Sequence, residues 1–154
     1  MLDLDVVTVG KWDKGKNADL ARALMARIAN KEFYVATPFL LLERISRWNY
    51  ANLTAQMKEF YIKNSDNILT DEDVSRKIDE LSRSSHFNQA SLLKDLRRAG
   101  VGNQDAFLVL VAALFDLTLV TFNRKTLRNK EEAIVEVTRK YGIKPPALAG
   151  PEEL

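Results

Sequence analysis

The chain contains no cysteine and a single histidine in its 154 residues. Without cysteine there is no disulfide framework and no thiolate metal site, which is compatible with a reducing cytoplasm, the location expected here. His86 sits in the polar run Ser84-Ser85-His86-Phe87-Asn88 and reads as a surface residue. No apolar run is long enough to span a bilayer, and Met1-Leu2-Asp3 does not open as a signal peptide, so no membrane role is expected. An excess of one charge is missing too. Lysine and arginine number 23 against 21 acids, a net charge of +2. That is too small to announce a nucleic-acid binder, so the positions of the basic residues have to carry any such argument. What remains is 46% hydrophobic and 29% charged, the balance of one globular domain, 1–154, able to bury a core.

The most informative stretch runs from Asn103 to Asn123. Asn103 is a good helix N-cap, and Asp105 falls in the first turn, where the helix dipole favours an acid. Ala106 to Leu114 is apolar throughout, so this helix has no wet face and belongs inside the domain. An acid at its start lies where an unpaired charge is costly. Leu117 to Phe122 is short, branched and aromatic, the pattern of a buried strand. It ends at Asn123, and in open parallel sheets chemistry collects at the carboxyl ends of strands.

Leu2 to Val9 reads as a first strand because of Val6, Val7 and Val9. Gly10 to Lys16 reads as a basic loop, and Asn17 as the cap of a helix with Leu20, Leu24 and Ile28 at helical spacing. Phe33 to Ala36 is a second strand, and Thr37-Pro38 caps a helix to about Asn49. Further helices are expected over Leu53–Lys63, after Thr70, from Asn88 to Arg98 with Gly100 as its left-handed cap, and from Asn129 to Lys140. Asn67 to Thr70 is a brief third strand, and Pro145-Pro146 opens an extended tail. Strands alternating with helices argue for an α/β sandwich around a mostly parallel sheet.

Asp105-Ala106 with its apolar run, followed by Leu119-Val120-Thr121 and Asn123, resembles the C-terminal half of a PIN domain, the metal-dependent ribonuclease fold of VapC-type toxins. Leu2-Asp3-Leu4-Asp5-Val6-Val7 is similar to that family's opening, and Thr37 through Glu43 to the segment carrying its glutamate. Gly150-Pro151-Glu152-Glu153-Leu154 resembles its common ending. The resemblance implies a three-layer α/β/α sandwich and a catalytic set of Asp3, Glu43, Asp105 and Asn123, where the family usually has a fourth aspartate. Asp3, Glu43 and Asp105 would ligate Mg²⁺ or Mn²⁺. Asp5, on the same face of an extended segment, is the alternative first acid, and Thr121 a possible further member. It also implies an RNA substrate, a homodimer and a small antitoxin partner.

Elementary chemistry agrees with that set. Hard divalent cations take oxygen ligands and keep several waters, so a few converging carboxylates suffice, and no histidine or serine is required. Lys11 and Lys14 follow the first segment, Arg124 and Lys125 follow the last strand, and Arg47 lies four residues after Glu43 on the same helix face. Together they would rim the mouth and hold RNA phosphates. Two rival readings stay open: a degenerate module that binds RNA or a protein without cutting, and an RNA-processing nuclease. Dimer contacts are expected from helices between Leu53 and Leu96, which carry Phe60, Tyr61 and Ile62.

Overall fold

Seven of the twelve residues of the apolar helix are buried, from Ala106 to Ala113, and the rest of the chain wraps them. The computed structural model describes residues 1–154. In chain order it contains α1 (Leu4–Trp12), α2 (Lys16–Ala29), β1 (Ala36–Pro38), α3 (Phe39–Ser46), α4 (Ala51–Asn64) and β2 (Asn67–Leu69). There follow α5 (Asp71–Ser84), α6 (Gln89–Arg98), α7 (Asn103–Leu114), β3 (Thr118–Val120), α8 (Glu131–Lys140) and β4 (Ala147–Ala149). The architecture is mixed α/β, rich in helix, with short parallel ladders. One cluster of 33 buried hydrophobic residues draws on α1, α2, α3, α4, α6, α7, β3 and α8. Leu110 is fully buried in it. Leu110→Ala is expected to cost about 2–5 kcal/mol through lost transfer energy and the cavity left behind. Denaturant unfolding measures this, and a loss below about 1 kcal/mol would mean that α7 is not the centre of the core.

The ladders place the chain ends where the site lies. β1 pairs with β2 in parallel, Ala36 opposite Asn67. β3 pairs with β4 in parallel, Thr118 opposite Ala147. Leu2 bridges Val120, also in parallel, so the N-terminal residues flank β3 on its other side. Asp3 N–H donates to Val120 O at 2.9 Å, and Val120 N–H donates to Met1 O at 2.9 Å. Asp3 and Thr121 therefore emerge side by side at the carboxyl ends of two neighbouring parallel segments.

Several expected elements differ. The first strand shrinks to Leu2, and the valines that suggested it lie on α1, whose buried face is Leu4, Val6, Val7 and Gly10. Asp3 makes the difference: its Oδ1 accepts the Leu4 N–H at 2.7 Å, an N-cap that starts a helix where branched residues alone favour a strand. Gly10 lets α1 approach α2, since a Cβ there would meet Met25 Sδ and Ala21 Cβ. The second strand begins three residues late, so Thr37 lies inside β1 and Pro38 takes the cap position. α3 stops at Ser46, and a separate α4 begins at Ala51. Gly102, not Asn103, caps α7, and Lys130, not Asn129, caps α8. The extended tail is strand β4. Other signals hold: Thr70 and Asp73 form a capping box, Asn88 Oδ1 caps α6, and Gly100 adopts φ 92°. Tyr61, expected at a dimer contact, is buried with its hydroxyl donating to Asp3 O at 3.1 Å. Ile62 beside it is exposed.

Candidate active site

Two small hydrogen-bond networks meet at the ends of Leu2 and β3. In the first, Thr121 Oγ1 lies 3.0 Å from Asp3 Oδ2 and 3.0 Å from Asp5 Oδ2. The same oxygen accepts the Asn123 N–H at 2.9 Å. A threonine hydroxyl has one proton and two lone pairs, so it can donate to only one of the two carboxylates. The second contact is favourable only if that carboxyl carries a proton and donates back. The electrostatics agree. Burial, then the Asp3 charge, pushes the Asp5 carboxyl up to about 7, against the hydrogen bonds from Thr121 and the Phe122 N–H. Asp3 is raised as well, by burial first and by the Asp105 charge, while Thr121, the Leu4 N–H and Arg44 pull it down. Asp5 Oδ1 is buried without a partner, a smaller cost for a neutral carboxyl than for an anion.

The second network has no such conflict. Asp105 Oδ2 accepts Asn123 Nδ2 at 3.1 Å and Thr126 Oγ1 at 2.5 Å. Thr126 Oγ1 in turn accepts from Asn123 Nδ2 at 2.7 Å, and Asn123 Oδ1 accepts the Thr126 N–H at 3.1 Å. Asn123 thus orients Asp105, with both ends of its amide engaged. This gives a physical reason for an amide at this position, because a carboxylate would set like charges against Asp105 at hydrogen-bond distance.

Asp3, Asp5, Asp105, Asn123 and Thr121 therefore come together. Glu43 does not join them through any hydrogen bond or ion pair. It is half-buried on α3, and its neighbour Arg44 is the residue whose charge reaches Asp3. Arg44 also donates to Gln104 on α7 and keeps Nη1 buried without a partner. Sequence reasoning missed Arg44, Thr126 and Tyr61. The spacing Asn123-Arg124-Lys125-Thr126 is that of an asparagine cap and could have revealed Thr126.

No three acids or histidines are grouped so as to hold a metal between them. The donor set on offer is Asp3 and Asp105, oxygen ligands without sulfur or imidazole. That suits a hydrated hard cation such as Mg²⁺ or Mn²⁺, which needs only one or two carboxylates, and does not suit zinc. The basic residues divide. α1 carries Lys11 about 12 Å along its axis from Asp3, and Lys14 is exposed in the turn that follows α1. Arg124 and Lys125 are exposed directly after Asn123, and Arg47 is exposed at the end of α3. Thr121→Val, nearly isosteric, is expected to cost about 1–3 kcal/mol by leaving Asp3, Asp5 and the Asn123 N–H short of a partner. Thermal melts at pH 7 test this, and an unchanged midpoint would contradict the network.

No family model, curated protein or solved structure matches this chain. No helix is long and apolar enough to cross a membrane.

Proposed function

We propose that the protein is a metal-dependent endoribonuclease of the PIN type, built on that family's three-layer α/β/α plan. One observation carries the reading: Asp3, Asp105 and Asn123, far apart in sequence, converge at the carboxyl ends of Leu2 and β3 beside a second, half-buried acid, Asp5. Asp3 and Asp105 would hold Mg²⁺ or Mn²⁺, with Glu43 on the adjoining α3 as the third acid of the set. The cation would supply Lewis acidity and charge neutralisation at a phosphodiester. The chain's own part is positional. Asn123 and Thr126 aim Asp105, Thr121 and the Leu4 N–H aim Asp3, and Arg44 places a fixed positive charge beside them. Arg124 and Lys125, exposed at the rim, would hold the substrate phosphates without reading sequence. In a toxin, a homodimer and a small antitoxin would complete the system.

The neutral amide of Asn123, engaged at both ends by Asp105 and Thr126, favours a second reading, a PIN-like module that binds RNA without cutting it. Incubating the protein with labelled single-stranded RNA and Mn²⁺ separates the two. Cleavage that EDTA stops is the expected result. RNA bound but left intact would establish the binding module instead.

A further inference from the structure

Beside the acids lies an open pocket of about 510 Å³ that shares only Arg124 with the proposed chemistry. α2 supplies Lys16, Asn17 and Leu20 to its wall, and the opposite side is made by Phe122, Arg124 and Glu152. Phe122 stands between Thr121 and Asn123, and its backbone N–H donates to Asp5 Oδ2 at 2.9 Å. The pocket therefore begins where the acid cluster ends.

Its chemistry is specific in kind. Lys16 is exposed and has no acid against it. Arg124 is 73% exposed, and its nearest acid, Glu152, is 3.9 Å away, too far for a direct hydrogen bond. Glu152 spends its strong contact on Arg128, at 2.7 Å. Two cations with unsatisfied donors, one aromatic ring and one amide thus face a single cavity next to carboxylates. Cations alone would suit any polyanion. The half-buried ring adds a flat apolar surface, which a nucleobase can use and a carboxylate cannot.

We propose that this pocket is a subsite for one nucleotide of a single-stranded RNA flanking the cleaved phosphate, with Phe122 stacking the base, Lys16 and Arg124 holding the phosphate, and Glu152 competing for Arg124. The assignment rests on the ribonuclease reading for its substrate but not on cleavage taking place. Glu152 is held in place by its neighbours as well as by its own charge. Pro151 is buried, Glu153 Oε1 reaches Arg128 at 2.9 Å, and Arg27 donates to Leu154 O at 2.6 Å. The carboxylate thus stands fixed beside Arg124 and lowers the positive potential of the pocket.

The test measures binding of a short fluorescein-labelled single-stranded RNA by anisotropy in EDTA, with cleavage in Mn²⁺ followed separately. Phe122→Leu keeps an apolar side chain against the core and should weaken binding about tenfold by losing the stack. Lys16→Gln and Arg124→Gln should each weaken binding and reduce the salt slope by about one. Glu152→Gln should tighten binding severalfold. Melting temperatures and a duplex RNA control accompany each variant, and the duplex should be insensitive to Phe122→Leu because its bases are already stacked. Wild type that binds RNA without cutting it, but responds to these substitutions, overturns the nuclease and keeps the subsite. Wild type that cuts RNA while Phe122→Leu binds it unchanged overturns the subsite alone. Failure of wild type to bind, or preferential displacement of the RNA by a polyglutamate peptide, also overturns the subsite.

Discussion

Asp3→Asn should lower RNA cleavage roughly hundredfold or more while leaving the fold intact. The size follows from the role, since even residues that merely support a metal ligand cost about 10–100-fold when changed. Retention of the fold follows from the hydrogen bonds. Asparagine is as good an N-cap as aspartate, so its Oδ1 can keep the Leu4 N–H. Its Nδ2 can donate to Thr121 Oγ1, which frees the threonine proton for Asp5. The variant should therefore melt no lower than wild type. Cleavage rates and melting curves on the same preparation check both halves. A variant that cuts RNA normally would remove Asp3 from the chemistry, and one that unfolds would show the residue to be structural.

Asp5→Asn should make the protein more stable at pH 8 and flatten its dependence on pH. The Asp5 carboxyl titrates at about 7 in the folded chain, against 3.8 for the free group. Between these values the folded state keeps a proton that the unfolded state has released. Stability then falls as pH rises, by up to about 1.4 kcal/mol per pH unit, and levels off above the folded value. Asp3 is raised in the same sense and adds to the decline. An asparagine at 5 can place its amide oxygen where Oδ2 lies and accept both the Phe122 N–H and the Thr121 hydroxyl, holding the network together without the charge. The expected gain at pH 8 is on the order of 2–4 kcal/mol, and near pH 4 the two proteins should be alike. Melting curves from pH 4 to 8 give the answer. A wild type that grows more stable over this range would contradict the raised Asp5 carboxyl.

Much of the site could be read in the sequence, for identifiable reasons. The apolar run from Ala106 to Leu114 could only be interior, which placed Asp105 at the edge of the core. Asn123 followed from the strand that precedes it. Local propensity failed at the opposite end of the chain. Val6, Val7 and Val9 favour a strand one residue at a time, but one carboxylate, Asp3, caps a helix there and turns them onto a helix face. The contact of both Asp3 and Asp5 with one threonine hydroxyl was out of reach for a related reason. It depends on Thr121 approaching from 116 residues away, and no spacing along the chain encodes that contact. The same holds for Arg44, whose importance lies in the charge it brings to Asp3.

A metal-dependent nuclease of this kind requires Asp3 and Asp105 to hold a cation between them. Calorimetric titration with Mn²⁺ at pH 7.5, comparing wild type with Asp105→Asn, tests this most directly. One Mn²⁺ bound per wild-type chain, with the heat lost in the variant, is the predicted result. Equal heats from the two proteins, or none from wild type, would contradict it.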